Sequence, residues 1–400
     1  MQLLCLVSYA NRIVTDPHPW SHAFGGDPQR TSFGKAYDVL PTVTVVDPYV
    51  KWEKKFPAPI ASSPTFSRDG AIGYIGVLTN DLVAFETGGG NVLWDFKAEG
   101  PISGSPLLSI DNSKVYIGCQ KGHLYALDTK TGRVEWVFNG TLGGIWGSPT
   151  FTGDETSILF GSDDTHVYCL LTQGGALRWK FKTNGAVRST PAVSTHGNIA
   201  IVGSEDKNVY ALSINTGELK WKSTTNSYVR SSPGLTHRVF IGSGFEDDSL
   251  HCLDLSNGKE VWTFKSGAGI LSSPIITKNG DTVIVGSNDN YLYAVDSATG
   301  SIRWKFRTAA DVRSSPSFSS DGTVVYVGSN DGFVYGISVL SGTRTFAFQT
   351  GSASIPGSVA SSNDGACLTF GAGYRLFHIC SSQLTRNNAH TVPDQVKVGL

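Results

Sequence analysis

Tryptophan recurs along this chain at an almost constant interval of about 42 residues, a spacing that restricts the possible folds more than any other feature. Helical solenoids with a repeat of this length need apolar residues at 3.6-residue spacing, which these repeats lack. Only 16% of the residues are charged, and the chain has one methionine, a composition that disfavours a largely helical protein. The sequence therefore predicts a repeat protein built from β-strands. The repeated position is filled by Trp52, Trp94, Trp136, Trp179, Trp221, Trp262, Trp304 and Phe346.

Each repeat has the composition of four short strands separated by tight turns. In the repeat that ends at Trp136, a β-branched run at 115–118 is followed by a polar turn, a second run at 124–128 and a Thr-Gly turn. Such alternation of short apolar runs and turns is typical of an antiparallel meander. A four-stranded unit cannot bury both of its faces alone, whereas radial stacking of such units does so. We therefore predict an all-β fold, a β-propeller of four-stranded antiparallel blades.

The frame of the repeat predicts eight blades in a closed ring. Seven complete sets of strands run from about Ile60 to Gly351, and a last set has three strands between Gly357 and Cys380. Its missing outer strand is expected to be the tryptophan strand at 49–56, because closure of this kind removes free sheet edges. The predicted organisation is an N-terminal extension over 1–48, an eight-bladed propeller over 49–380 and a polar C-terminal tail over 381–400.

A short pattern in the repeats resembles that of a known family. The spacing Ala-x-Asp-x-x-x-Gly-x-x-x-Trp occurs at Ala126, Asp128, Gly132 and Trp136, and degenerate copies follow in other repeats. It is similar to the tryptophan-docking motif of the PQQ-like (quinoprotein-type) repeat β-propellers, and the chain is closest in character to the BamB-like non-enzymatic members. The resemblance implies that each indole packs against a glycine of the neighbouring blade. The eight residues of the tryptophan series are therefore expected to be structural anchors.

Enzymatic members of this family have features that can be checked in the sequence. The chain has no adjacent cysteines and no Cys-x-x-Cys-His haem site, and its repeats barely depart from one length. Its nine histidines are scattered without metal-ligand spacing. We therefore expect no catalytic, cofactor-binding or metal-binding residues, and a non-enzymatic protein-interaction scaffold, alone or as a subunit of a larger assembly. The alternative is a quinoprotein dehydrogenase that uses PQQ and Ca²⁺, or a propeller that binds a small ligand.

Charge and hydropathy limit the kinds of partner. Lys and Arg number 32 and Asp and Glu 33, without a basic run, so nucleic acid is not an expected partner. No apolar stretch has the ~20 residues of a membrane-spanning helix. We expect one or more protein partners of unknown identity. Localisation stays open, because family and composition favour an extracytoplasmic protein whereas the weak N-terminal leader and the cysteines favour an intracellular compartment.

The cysteines are widely separated along the chain. Because no Cys-x-x-Cys or adjacent pair occurs, they are expected to be single buried thiols that act as small apolar residues, in preference to a disulfide framework. They are Cys5, Cys119, Cys169, Cys252, Cys367 and Cys380.

The repeats differ most informatively at the residue that follows the Ile or Val leading into each innermost strand. Innermost strands of a propeller begin at the mouth of the central channel, so the eight side chains should form one collar. We expect Trp146, Arg188, Arg230 and Arg313 to make a cationic and aromatic mouth suited to an acidic peptide segment or an anionic small molecule. In the alternative interpretation the arginines pair with neighbouring Asp or Glu, and Trp146 fills a wide channel. The collar reads Ala61, Ser103, Trp146, Arg188, Arg230, Leu271, Arg313 and Pro356.

Overall fold

Eight antiparallel sheets of four strands make up the regular structure of the computed structural model. It describes residues 45, 47–194, 198–351 and 354–382. In this part of the chain no helix is long and apolar enough to cross a membrane. The predicted extension at 1–48 and tail at 381–400 lie almost entirely outside the described residues, as does Cys5.

In blades 1 to 7, strand order follows chain order from a very short innermost strand to a longer outer strand, and in blade 8 the outer strand is the first strand of the chain. Blade 1 contains β2 (Thr65–Phe66), β3 (Ile72–Gly76), β4 (Asp81–Glu86) and β5 (Val92–Lys97). Blade 2 contains β6 (Leu107–Leu108), β7 (Lys114–Gly118), β8 (Leu124–Asp128) and β9 (Val134–Phe138). Blade 3 contains β10 (Thr150–Phe151), β11 (Ser157–Gly161), β12 (His166–Leu171) and β13 (Leu177–Lys182). Blade 4 contains β14 (Ala192–Ser194), β15 (Ile199–Gly203), β16 (Asn208–Ser213) and β17 (Leu219–Thr224).

The second half of the ring repeats this arrangement. Blade 5 contains β18 (Gly234–Leu235), β19 (Arg238–Gly242), β20 (Ser249–Asp254) and β21 (Glu260–Lys265). Blade 6 contains β22 (Ile275–Ile276), β23 (Thr282–Gly286), β24 (Tyr291–Asp296) and β25 (Ile302–Arg307). Blade 7 contains β26 (Ser317–Phe318), β27 (Val324–Gly328), β28 (Phe333–Ser338) and β29 (Arg344–Gln349). Blade 8 contains β30 (Ala360–Ser361), β31 (Cys367–Ala372), β32 (Arg375–Ser381) and β1 (Pro48–Lys55).

The first strand of the chain closes the ring. β1 pairs antiparallel with β32 from Pro48 opposite Ser381 to Lys55 opposite Arg375. In this register the indole of Trp52 stacks on the ring of His378 at 5.0 Å between centroids. The prediction of eight four-stranded blades closed by the N-terminal strand is thereby confirmed.

Burial along the strands follows from their places in a blade. Every residue of the second strand of blade 6, at 282–286, is buried, because both of its faces are covered by neighbouring blades. The outer strand of blade 3, at 177–182, alternates between exposed and less exposed positions, because one of its faces meets solvent. Apolar side chains of consecutive blades share one cluster, as when Ile201 and Val209 of blade 4 pack with Val239 and Ile241 of blade 5.

A belt of hydroxyl groups links the innermost strands around the channel. The Ser or Thr that precedes the proline or its equivalent in one blade accepts a hydrogen bond from a backbone N–H of the preceding blade. Thr190 N donates to Ser232 Oγ at 2.9 Å, and Ser358 N donates to Ser63 Oγ at 2.7 Å across the closure. Equivalent bonds join other neighbouring blades. This belt gives a physical reason for the small polar pair that recurs in the repeats.

Outer strands are joined to the following blade through their tryptophans. Trp221 Nε1 donates to the carbonyl of Leu255 at 2.9 Å, and a Cβ added to Gly258 would lie 2.4 Å from the indole. Seven tryptophans make the same two contacts with the next blade. They are Trp52, Trp94, Trp136, Trp179, Trp221, Trp262 and Trp304.

Two of the cysteines depart from the prediction. Cys367 and Cys380 lie opposite each other on β31 and β32 and form a disulfide with an S–S distance of 2.04 Å. The expectation of single thiols is wrong for this pair, because the hairpin register brings together two residues that are widely separated in sequence. Among the described residues, Cys119, Cys169 and Cys252 are free and buried, as expected.

Candidate binding site at the channel mouth

One end of the ring gathers two kinds of connection from every blade. Because neighbouring strands of a blade are antiparallel, the loops that lead into the innermost strands share an end with the hairpins between second and third strands. Backbone bonds hold the two together, as when Asp163 N donates to Gly144 O at 2.9 Å and Glu205 N donates to Ala186 O at 2.8 Å. We call this end the mouth face.

Blades 3 and 4 form a dense charged cluster on the mouth face. Arg188 donates from Nε and Nη2 to the two carboxylate oxygens of Asp163, at 2.7 and 3.0 Å. Trp146 Nε1 donates to the same carboxylate at 2.8 Å, and the guanidinium of Arg188 lies 4.8 Å from the centre of the Trp146 ring. Burial opposes the charged form of Arg188, but the bonds to Asp163 and the attraction of Glu205 raise the pKa of this arginine. Arg188 is thus fixed by its neighbours.

The cluster continues into blade 5. Glu205 accepts from Arg230 Nε at 2.6 Å and lies 3.4 Å from Nη1 of Arg188, so it bridges the two arginines. Arg230 lies 4.7 Å from the centre of the Tyr228 ring. Arg313, two blades further on, donates from Nη2 to Asp311 of its own loop at 2.7 Å. Alternating charges therefore run along one side of the channel mouth.

The structure brings together three of the four side chains that the sequence predicts. Trp146, Arg188 and Arg230 meet through Asp163 and Glu205, while Arg313 has a separate acidic neighbour. Sequence reasoning missed these acids, although each lies 25 residues before the arginine of the next blade. The ion pairs are those of the alternative interpretation, and ligand binding at this place stays a prediction.

Large apolar side chains are also exposed on the mouth face. Leu142, in the loop from β9 to β10, is 97% exposed. Phe245, in the hairpin from β19 to β20, and Tyr374, in the hairpin from β31 to β32, are also exposed. Phe245 and Tyr228 line a shallow pocket of about 240 Å³ beside Glu205. Exposed large apolar side chains gathered on one face mark a candidate protein interaction surface.

The three acids that pair with Arg188, Arg230 and Arg313 do not suit a calcium ion of the kind that quinoprotein dehydrogenases use. Ca²⁺ needs six to eight oxygen ligands with several carboxylate or carbonyl groups free to turn toward it. Asp163, Glu205 and Asp311 are each hydrogen-bonded to an arginine. A calcium ion would have to displace a guanidinium from each of them, so the residues present do not fit that cofactor.

A second group of potential metal ligands lies in the closing blade. In the described part of the chain, one set of three such side chains is close together, namely Cys367, His378 and Cys380. The two sulfurs are bonded to each other, and His378 Nδ1 lies 2.8 Å from the hydroxyl of Thr369. These groups satisfy one another and hold the closing blade together.

Comparisons with known proteins agree with this architecture. The chain matches the family model described as outer membrane protein assembly factor BamB over residues 20–140, 138–244 and 246–374. It is similar to the crystal structure of BamB from Moraxella catarrhalis, with 18% identity and a TM-score of 0.66 over 83% of this chain and 99% of that one. It is also similar to the computationally designed Ika8 protein, with 14% identity and a TM-score of 0.70 over 85% of this chain and 99% of that one. No curated protein sequence matches the chain significantly.

Proposed function

We propose that this chain, which belongs to the BamB family of PQQ-like repeat propellers, is a non-enzymatic scaffold that binds a protein partner on its mouth face. The observation that carries the proposal is the exposure of Leu142, Phe245 and Tyr374 on the same face as a partly buried charged cluster. Apolar contacts of this kind supply affinity, and buried charged groups supply specificity. As in its BamB relatives, the chain would serve an assembly by presenting one rigid surface.

Rigidity of the scaffold is part of the proposal. We assign the tryptophan series, including Phe346, the role of docking each outer strand onto the following blade. The seven indoles contribute buried apolar area and a hydrogen bond at their junctions, and the buried Phe346 contributes apolar area at the eighth, so the loops of the mouth face keep fixed relative positions. A preformed surface loses little conformational freedom on binding, and this favours affinity.

The engaged acids argue for the scaffold over the dehydrogenase. Every acidic group of the charged cluster already has a guanidinium partner, which leaves no free carboxylate to act as a general base or a calcium ligand there. Incubation with PQQ and Ca²⁺ should therefore give no dye-linked oxidation of alcohols or sugars. Turnover that depends on both additions would contradict the proposal.

The disulfide of the closing blade supports an extracytoplasmic location. Disulfides persist in oxidising compartments and are rare in the cytosol, so the Cys367–Cys380 bond favours the first of the two locations that the composition left open. Thiol trapping of the protein from its native source should label these two cysteines only after reduction. Labelling of both without reductant would contradict this location.

Two leucines on opposite ends of the ring give a matched test of the binding surface. Leu142 belongs to the mouth face, and Leu340, in the hairpin from β28 to β29, belongs to the other end and is 92% exposed. A photoreactive amino acid placed at 142 should cross-link a specific protein in the native source, whereas the same residue at 340 should not. Cross-linking only from 340, or equally from both, would contradict the assignment of the mouth face.

A further inference from the structure

Five unpaired polar atoms lie on three consecutive blades of the mouth face. Among the described residues, buried side-chain nitrogen and oxygen atoms without a hydrogen-bond partner include Arg230 Nη1, Asp248 Oδ1, Arg313 Nε and both amide atoms of Asn288. Leaving such an atom unsatisfied costs about 1–3 kcal/mol, so native proteins rarely do so without a reason. A concentration of these atoms at one edge of a channel indicates a missing partner.

The repeat shows what kind of partner is missing. In blades 3 and 4 the second residue after the second strand is an acid, Asp163 or Glu205, and it accepts a hydrogen bond from Nε of the arginine 25 residues later. Asn288 holds this position in blade 6, and Arg313 follows it at the same separation. An amide thus replaces the carboxylate in blade 6. Arg188 and Arg230 donate from Nε to their acids, whereas Nε of Arg313 is unpaired. A carboxylate is absent from the place where the repeat twice provides one.

The neighbouring side chains make this place suitable for an anion. Arg313 is directed by its bond to Asp311, and 21% of its side chain is exposed while Nε itself is buried. Burial raises the pKa of Tyr228, while the charges of Arg230 and Arg313 both act to lower it. Arg313 Nε, Arg230 Nη1 and the Asn288 amide N–H offer donors, and charge-assisted bonds to a carboxylate are the strongest that such donors make.

We propose that Arg313 and Asn288, flanked by Arg230, bind the carboxylate of an aspartate or glutamate side chain on the protein partner. This inference rests on the proposed function and names the chemistry by which the mouth face recognises its partner. The peptide source is favoured over a free carboxylic acid because the same face also offers apolar surface for a peptide, at Phe245 and Tyr228 in the pocket next to Glu205. Trp146 and Arg188, whose polar groups Asp163 already satisfies, position the charged cluster and do not hold this carboxylate.

In an NMR titration, the chemical shift of the Arg313 Nε–H group reports binding directly. The two probes are the pentapeptide Ac-Gly-Ala-Glu-Ala-Gly-NH₂ and the same peptide with glutamine in place of glutamate. In the ¹⁵N-labelled full chain, the resonance is assigned by its loss in Arg313→Lys. The glutamate peptide should shift it in a saturable way, and the glutamine peptide and acetate should need at least tenfold higher concentrations. No shift with the glutamate peptide, an equal response to the glutamine peptide, or equally tight binding of acetate would overturn the inference.

A pair of charge variants supplies the matched control. Asn288→Asp places a carboxylate of the chain itself beside Arg313 and should weaken binding of the glutamate peptide at least tenfold. Asn330→Asp adds the same charge at the equivalent position of blade 7, where the amide accepts from Ser354 Oγ at 2.8 Å, and should change binding less than threefold. Equal effects of the two variants would overturn the inference. Loss of peptide binding with retained cross-linking from 142 would refute this site alone, whereas loss of that cross-link refutes the proposed function.

Discussion

Two adjacent glycines in the turn between β12 and β13 have similar backbone conformations in different surroundings. Gly174 has a φ of +79° and Gly175 a φ of +68°. A Cβ added to Gly174 meets no atom within 4 Å, whereas one added to Gly175 would lie 2.5 Å from Cε3 of Trp136. Alanine substitutions at the two positions therefore separate backbone strain from the contact between blades 2 and 3.

The expected difference follows from two physical costs. Gly174→Ala places an L-residue in the left-handed region, which costs about 1–2 kcal/mol of folding free energy. Gly175→Ala carries the same strain and also forces a methyl group into the Trp136 indole, and overpacking of this kind costs about 1–3 kcal/mol more. Gly175→Ala should therefore lower the free energy of unfolding by about 2–5 kcal/mol.

Urea unfolding followed by far-ultraviolet circular dichroism measures both variants against the unchanged chain. Repeating the pair in a Trp136→Leu background removes the indole, so the excess cost of Gly175→Ala should disappear there. If Gly175→Ala destabilises the protein no more than Gly174→Ala, or if the excess persists without the indole, the inferred role of the tryptophan contact is wrong.

Two further predictions concern the closing blade. Burial, reinforced by repulsion from Lys51, lowers the pKa of His378 to about 4, so the neutral imidazole contributes stability above pH 6.5 that is lost as the pH falls toward 4. The free energy of unfolding, measured with urea, should fall by roughly 3 kcal/mol at low pH through this residue. The fall should be smaller in His378→Gln. An equal pH dependence of the variant and the unchanged chain would contradict the prediction. Reduction of the Cys367–Cys380 disulfide, or its replacement in a Cys367→Ser, Cys380→Ser variant, should cost about 2–4 kcal/mol of unfolding free energy. Dithiothreitol should lower the urea midpoint of the unchanged chain and leave that of the double variant as it is. If the midpoint of the unchanged chain does not fall, or if that of the double variant falls equally, the disulfide does not contribute this stability.

Much of the fold could be predicted from the sequence because each blade repeats one local pattern. The strand of Trp52 is an outer strand with no inner strands before it, and the last set of strands has no outer strand. The repeat pattern therefore predicted that the two ends of the chain complete one blade, without knowledge of contacts. The Cys367–Cys380 bond could not be predicted in the same way. The bond depends on the register of one hairpin, which the spacing of the cysteines does not reveal. Because the chain has no Cys-x-x-Cys or adjacent pair, its cysteines were expected to be free thiols.

The site was less accessible to sequence reasoning because its contacts cross between blades. The arginines stood out when the repeats were aligned at the start of the innermost strands. Asp163 and Glu205 lie in a different turn and act on the following blade, so an alignment at one position does not connect them to Arg188 and Arg230. The regular separation of 25 residues was the signal that could have found them, and it also draws attention to Asn288.

The most direct measurement of partner binding compares two substitutions at opposite ends of the ring. The affinity of the cross-linked partner is measured by titration for the unchanged chain, Leu142→Asp and Leu340→Asp. Both leucines are almost fully exposed, so neither change should alter folding. Binding through the mouth face predicts at least tenfold weaker affinity for Leu142→Asp and no change for Leu340→Asp. Equal affinities for the two variants, or a loss confined to Leu340→Asp, would contradict it.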